Sequence, residues 1–168
     1  MNYVFTGPES SGKTTLATKV SELKKGIYIP EAARDYLTNL GREYTINDLL
    51  EIAKLQYKLQ EEAKQNGDKI ICFDTDLLTI KIWSEWKYGT CNPWILDRLY
   101  ANSNSIYILC KPDFPWQYDD LRENPNDREE LFNLYQKELE LFNFPYQIVT
   151  GTLQERAASI TVKPTLFP

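Results

Sequence analysis

The chain has 168 residues, enough for one domain with a sizeable core, and 42% of them are apolar. No run of eighteen apolar residues occurs, which argues against a membrane partner. The net charge of −5 argues against a nucleic-acid partner, and the absence of histidine excludes histidine-based triads and most zinc sites.

Strands and helices are predicted to alternate along the chain. Apolar runs bounded by glycine, proline or aspartate predict five strands, at 2–6, 27–29, 69–73, 105–110 and 146–150. Helical periodicity predicts helices at 13–25, 31–40, 45–65, 77–88 and 93–101, and a short one after Gly151. The helix at 45–65 is predicted to begin with a capping box formed by Thr45 and Asp48.

This alternation predicts a single α/β domain, residues 1–168, with a five-stranded parallel sheet and helices on both faces. Ligands of such sheets bind beyond the carboxyl ends of the strands. Residues of chemical interest follow the predicted strands: Gly7, Glu31, Asp74, Lys111 and Gly151. We therefore expect one functional site at that edge of the sheet.

Three cysteines are widely spaced, at Cys72, Cys91 and Cys110. Cysteines in apolar runs are most often small buried side chains in a reducing compartment. We therefore predict free thiols and a cytoplasmic protein. The oligomeric state cannot be predicted from the sequence.

The first predicted strand leads into a glycine-rich segment that matches G-x-x-x-x-G-K-[ST] in full, from Gly7 to Thr14. In this P-loop motif, backbone N–H groups and a helix N-terminus cradle the phosphates of a nucleotide. Lys13 is expected to bridge the β- and γ-phosphates, and the Thr14 hydroxyl to bind magnesium. The predicted ATP-binding residues are Gly7, Glu9, Ser10, Ser11, Gly12, Lys13, Thr14 and Thr15.

Two acidic residues follow the third predicted strand. Asp74 ends the strand beside the P-loop, which predicts a second magnesium-binding group. Asp76 is two residues further on, where it either shares the acceptor site with Asp74 or caps the helix that starts at Leu77.

The remaining segments favour a small-molecule kinase over other P-loop proteins. An Asn-Lys-x-Asp motif, which a GTPase would need to bind its base, is absent, and a helicase would need a basic track. Glu31 and Arg34 are predicted to contact the acceptor, although they also suit an ordinary helix start. Either Glu31 or Asp74 is expected to orient the acceptor hydroxyl.

Residues 112–130 are predicted to form a lid, although a plain solvated loop has a similar composition. The lid contains Trp116, Arg122 and Arg128, and Arg122 is expected to reach over the triphosphate during catalysis. Trp83 and Trp86 share a helix face, which favours core packing, with stacking of Trp83 on an aromatic acceptor as the alternative.

Four stretches resemble the ribosylnicotinamide kinase domain of the bifunctional NAD-salvage enzymes. They are Gly7-Pro-Glu-Ser-Ser-Gly-Lys-Thr-Thr-Leu16, Pro30-Glu-Ala-Ala-Arg-Asp-Tyr36, Asp74-Thr-Asp-Leu-Leu-Thr-Ile-Lys-Ile-Trp-Ser-Glu85 and Pro115-Trp-Gln-Tyr-Asp-Asp-Leu-Arg-Glu123. The resemblance implies ATP-dependent phosphorylation of nicotinamide riboside to nicotinamide mononucleotide, with Glu31, Arg34, Asp76, Trp83 and Trp116 around the acceptor.

The resemblance also implies that the loop from Gly151 to Arg156 lies beside adenine. Two residues depart from the family pattern, namely Asp120 in place of a lid glycine and Ala32 in place of an aromatic residue. Because the family's adenylyltransferase domain uses histidine, that activity is expected to be absent. The alternatives are another nucleoside or nucleotide kinase, a stand-alone ATPase, and a nucleotide-sensing module without turnover.

Overall fold

The computed structural model describes residues 1–65, 67, 69–100 and 105–160, and in them five strands alternate with seven helices. The strands are β1 Asn2–Thr6, β2 Ile27–Ile29, β3 Ile71–Asp74, β4 Ser105–Cys110 and β5 Tyr146–Val149. The helices are α1 Lys13–Leu23, α2 Ala32–Thr38, α3 Ile46–Lys64, α4 Leu77–Tyr88, α5 Pro93–Tyr100, α6 Arg128–Leu141 and α7 Leu153–Ser159.

All five strands are parallel, in the order β2-β3-β1-β4-β5. Alternate residues of the strands face opposite sides of the sheet. The side chains of Tyr3, Phe5, Cys72, Ile108 and Cys110 join one buried cluster with α1 and α7. Those of Val4, Ile71, Phe73, Tyr107 and Leu109 join a second cluster with residues of α2 to α6. The predicted parallel sheet with helices on both faces is confirmed.

The predicted element ends differ from the observed ones by a few residues at most. Helix α3 begins with the predicted capping box, in which the Asp48 carboxylate also pairs with Arg42 and accepts a hydrogen bond from Tyr36. These contacts hold the pKa of Asp48 well below its usual range. The predicted helix end at Ala101 lies outside the described residues.

Helix α6 has no counterpart among the predicted elements. It begins at Arg128, so the last three residues assigned to the lid belong to its first turn. Its buried residues are Leu131, Phe132, Tyr135, Glu138 and Leu139, which lie on one face of the helix.

The three cysteines are free, as predicted, with Cys72 and Cys110 buried in strands and Cys91 partly buried. Burial raises the pKa of the Cys72 and Cys110 thiols to about 12. Within the described ranges no helix has the length and apolar character that a membrane crossing requires.

Candidate active site

The P-loop begins where β1 ends and closes at the N-terminus of α1. Gly12 is the N-cap of α1 and has φ +81°. No side chain caps the N-terminus of α1, and the first turn of the helix contains no acidic residue. The N–H groups of that turn are therefore free of competing side-chain acceptors and carry the partial positive charge of the helix. This geometry is suited to bind an anionic phosphate.

Gly7 lies directly against the end of β4. Its φ is +130°, and a Cβ atom there would lie 2.7 Å from the carbonyl oxygen of Cys110. Only glycine combines that backbone conformation with such a close approach between the two strand ends. The P-loop is therefore fixed in position by the packing of β1 against β4.

We expect Gly7→Ala to lower the free energy of unfolding by about 2–4 kcal/mol, because strain and overlap add. Gly41→Ala is the matched control, since Gly41 also has a positive φ of +67° but no atom within 4 Å of an added Cβ. The control should cost about 1–2 kcal/mol. Urea titrations of both variants measure the difference, and equal losses would contradict the close approach at Gly7.

The predicted phosphate-binding residues lie together on one wall of a cavity of about 560 Å³. The wall comprises Gly7, Pro8, Glu9, Ser10, Ser11, Gly12, Lys13, Thr14 and Thr15. Lys13 Nζ donates to the carbonyl oxygen of Pro8 at 2.8 Å, so its side chain curls back over the loop. The Ser11 hydroxyl is buried and has no hydrogen-bond partner in the described structure.

Asp74 is buried at the end of β3, where it pairs in register with Phe5 of β1. Its Oδ2 atom accepts a hydrogen bond from the Tyr28 hydroxyl at 3.1 Å. Its Oδ1 atom is buried and lacks a partner among the residues that are described. A buried carboxylate oxygen without a donor is the kind of group that a cation or its hydration shell satisfies.

A magnesium ion fits this arrangement. Thr14 is exposed in the cavity at the start of α1, and Asp74 lies at the end of the neighbouring strand. Magnesium in nucleotide sites needs only one or two protein groups, because phosphates and water supply the remaining ligands. The lack of a cluster of three acidic or cysteine side chains in the described ranges is therefore compatible with it.

Asp76 does not reach the cavity, so its assignment to the acceptor site is wrong. It is completely buried, accepts a hydrogen bond from the Leu78 N–H as the N-cap of α4, and accepts another from the Tyr107 hydroxyl. Burial raises the pKa of Asp76 to about 6. The capping alternative is the one that the structure supports.

Glu31 and Arg34 line the cavity beside the P-loop, as predicted. Glu31 has no hydrogen-bond or ion-pair partner in the described part of the chain. Burial raises its pKa, nearby Asp74 adds to the rise, and Lys13 and Arg34 oppose it. Arg34 forms an ion pair with Asp119 at 3.1 Å. The cavity therefore contains one carboxylate available to a ligand.

Away from the P-loop the cavity becomes more apolar. The lining residues of this part include Ala33, Leu37, Thr79, Ile82, Trp83, Trp86, Leu121, Leu131 and Tyr135. Trp83 also packs against the core cluster, as the first alternative predicted, and its stacking on an aromatic acceptor stays a prediction. The indole of Trp83 donates to the Tyr44 hydroxyl at 2.8 Å, which fixes the orientation of the ring.

We name residues 112–127 the lid segment; they contain no helix or strand and donate hydrogen bonds to the side chains of Ser10 and Glu9 in the P-loop. Arg122 lines the cavity, where it donates to the carbonyl oxygen of Gln117 at 2.6 Å and lies near Asp119. Arg128 instead donates to the carbonyl oxygens of Phe114 and Ser10. Of the two arginines, Arg122 is the one placed to meet a ligand.

The side chains of two predicted contact residues, Trp116 and Glu9, bind each other. Trp116 is not part of the cavity wall; its indole donates to the Glu9 carboxylate at 2.8 Å. Glu9 lines the cavity, but its carboxylate is occupied by donors of the lid segment. The predicted role of Trp116 in acceptor binding is therefore not supported by the geometry, while the prediction that Glu9 binds ATP is left to its backbone.

Arg156 is almost completely buried, although it reaches the cavity wall. Its guanidinium donates to the main-chain oxygens of Ser11 at 2.7 Å, Lys111 at 2.9 Å and Gly151 at 2.9 Å, and it pairs with Asp113. It therefore joins the P-loop to the segments that follow β4 and β5. Its donors are engaged in these contacts and its guanidinium also packs over the Phe114 ring, so Arg156 supports the P-loop, and the contact with adenine stays a prediction.

Comparison with known proteins identifies the family. Residues 2–156 match the family model AAA_28, described as an AAA domain. The trifunctional NAD biosynthesis/regulator protein NadR of Escherichia coli (strain K12) is 28% identical over 148 residues, which are 83% of this chain and 36% of that protein. NadR of Salmonella typhimurium is 28% identical over 136 residues, 76% of this chain and 33% of that protein.

Solved structures share the fold. A NadR protein in complex with NR superposes with a TM-score of 0.73 and 16% identity, over 89% of this chain and 43% of that one. A NadR protein in complex with NAD and AMP-PNP superposes with a TM-score of 0.70 and 17% identity, over 90% of this chain and 44% of that one. The chain spans about a third of the length of the curated relatives it matches. The resemblance to the NAD-salvage enzymes is confirmed, and the chain belongs to the AAA_28 family of AAA domains.

Proposed function

We propose that this chain transfers the γ-phosphate of ATP to the 5′-hydroxyl of nicotinamide riboside, giving nicotinamide mononucleotide and ADP. The observation that carries the proposal is the continuity of one cavity. It runs from the phosphate-binding loop to a pocket walled by two tryptophans, with Glu31 and Arg122 lining it. The sequence similarity to NadR and the NR and AMP-PNP bound in NadR structures support the same reaction.

The charges of the pocket favour a cationic nucleoside as acceptor. Arg34 is paired with Asp119, and Arg122 lies 3.8 Å from the same carboxylate, so Glu31 is the carboxylate of the described cavity without a side-chain partner. The pyridinium ring of nicotinamide riboside is positively charged and aromatic, so it suits a carboxylate and indole faces. A nucleoside monophosphate would bring a second negative charge towards Glu31.

In this reaction the P-loop amides and Lys13 hold the β- and γ-phosphates in place. Thr14 and Asp74 would hold magnesium, which neutralises charge on the phosphate oxygens when bound. The acceptor oxygen bonds to the γ-phosphorus as the bond to the β–γ bridging oxygen breaks, and Glu31 accepts the hydroxyl proton. Arg122 stabilises the negative charge spread over the transferred group.

The acceptor can be tested by measuring ADP release with nicotinamide riboside, common nucleosides and their monophosphates, together with identification of the product. We expect turnover with nicotinamide riboside and little ADP release without acceptor. Turnover with a different nucleoside would indicate another nucleoside kinase. ADP release without acceptor would indicate an ATPase, and tight ATP binding without any turnover would indicate a sensing module.

The pH dependence of kcat/KM for the acceptor tests the role of Glu31. Because burial raises its pKa above 4.5, the carboxylate becomes protonated at a higher pH than an ordinary glutamate. Activity should therefore fall as the pH decreases through that raised pKa, and Glu31→Gln should lower kcat by about 10²–10⁴-fold. Glu22→Gln, on the exposed face of α1, should leave the profile unchanged. An unaltered acidic limb in Glu31→Gln would assign the limb to another group.

A further inference from the structure

The side chain of Glu9 holds the lid segment through three hydrogen bonds, and the neighbouring Ser10 hydroxyl accepts one more from the Gln117 N–H at 3.2 Å. The Glu9 Oε1 atom accepts hydrogen bonds from Trp116 Nε1 at 2.8 Å and from the backbone N–H of Asn124 at 2.9 Å. Its Oε2 atom accepts one from the backbone N–H of Glu123 at 3.0 Å. Hydrogen bonds to an ionised acceptor are stronger than neutral ones, so this carboxylate is an effective anchor for consecutive lid residues.

From Glu123 a path of hydrogen bonds continues to the wall of the acceptor pocket. The Glu123 carboxylate accepts from the Tyr44 hydroxyl at 2.7 Å and pairs with Lys87 at 2.8 Å. The Tyr44 hydroxyl in turn accepts from the indole N–H of Trp83. The orientation of Trp83 is therefore connected to Glu9 through two residues.

A second path starts at Asn124. Its backbone N–H binds Glu9, and its side-chain Oδ1 atom accepts from the indole N–H of Trp86 at 3.1 Å. Trp86, like Trp83, lines the cavity. Both tryptophans of the pocket wall are thus connected to one carboxylate of the phosphate-binding loop.

We propose that Glu9 is a positioning residue that couples the nucleotide site to the acceptor pocket through Glu123 and Asn124. Bound phosphates fix the backbone of the P-loop, which fixes the Glu9 side chain, the lid amides and both indole rings. Nucleotide binding then favours the pocket shape that binds the acceptor, and by linkage the acceptor strengthens nucleotide binding equally. The inference rests on the proposed function in taking the tryptophan-lined pocket as the acceptor site.

The coupling is measured by titrating nicotinamide riboside with and without AMP-PNP. In the wild-type chain AMP-PNP should tighten acceptor binding at least about fivefold, the lower end of typical couplings. Glu9→Ala should reduce this factor to less than about twofold, and Trp86→Phe, which lacks the indole donor, should reduce it in part. Tyr118→Phe is the control, because it removes a hydrogen bond to Asp120 within the lid that neither path uses. A coupling factor that persists in Glu9→Ala would overturn the proposal.

A second measurement needs no acceptor and separates this inference from the proposed function. The indole N–H signals of Trp83 and Trp86 in NMR spectra should shift when AMP-PNP is added to the wild-type chain. They should not shift in Glu9→Ala, and the indole signal of Trp94, which lies outside the cavity wall, should not shift in either chain.

Amide hydrogen exchange at Glu123 and Asn124 should also be at least about tenfold faster in Glu9→Ala, because each N–H group loses a charged acceptor. If nicotinamide riboside does not bind, the proposed function fails, and these signals still decide the role of Glu9. Equal shifts in both chains, or unchanged exchange, would overturn it.

Discussion

Replacing Lys13 by alanine is expected to lower kcat by about 10²–10³-fold or more, the effect of removing one preorganised charge-stabilising donor. Lys13 is the first residue of α1, and its Nζ atom lies on the Pro8 carbonyl inside the loop. Rotation of its side chain brings the ammonium to phosphates bound at the helix N-terminus. The steady-state rate of ADP formation at saturating acceptor measures the loss.

Lys19→Ala provides the matched control, since Lys19 lies on the same helix with its charge in a surface pair with Glu22. Exposed pairs of this kind contribute at most about 1 kcal/mol to stability, so the control should turn over normally. If Lys13→Ala kept near-normal turnover, the assignment of the phosphate cradle would be wrong.

Arg122→Ala is expected to lower kcat by about 10³-fold or more, as the loss of an arginine that stabilises a phosphoryl transition state does. Its guanidinium lines the cavity, and its neighbours are the Gln117 carbonyl and Asp119. These contacts restrain the Arg122 side chain before a ligand binds. Because it is already partly ordered, it loses less conformational entropy when it contacts the phosphates. The loss should appear in kcat, because the charge develops in the transition state.

The control for Arg122 is Arg98→Ala, which removes a guanidinium stacked on Trp94 away from the cavity. Its kcat should stay within about twofold of the wild-type value, since no charge is lost near the phosphates. A loss below tenfold in Arg122→Ala would remove that residue from the mechanism.

The sheet was predictable because its strands are short apolar runs, four of which adjoin glycine, proline or aspartate. Helix α6 was missed although Leu131, Phe132, Tyr135 and Leu139 carry a helical signal. That segment adjoins an acidic, proline-rich stretch, whose composition indicated a loop that continued to residue 130. The helical spacing of its apolar residues predicts α6 better than its composition does, because burying one apolar face stabilises a helix whose other residues are polar.

The position of the P-loop between β1 and α1 was predictable because its motif is local in sequence. The roles of Glu9 and Arg156 were not, since each depends on contacts with residues far along the chain. Glu9 binds residues more than a hundred positions away, and Arg156 binds Ser11 across 145 positions. Asp76 was ambiguous for a related reason, because a helix cap and a ligand contact require the same side chain at the same place.

A crystal structure of the chain with AMP-PNP, magnesium and nicotinamide riboside tests the central claim most directly. We expect the γ-phosphate at the N–H groups of the first turn of α1, beside Lys13. The acceptor 5′-hydroxyl should lie within about 3 Å of Glu31, a hydrogen-bonding distance. Nucleotide bound elsewhere, with no phosphate in the P-loop, would contradict the account, as would an acceptor bound outside the pocket walled by Trp83 and Trp86.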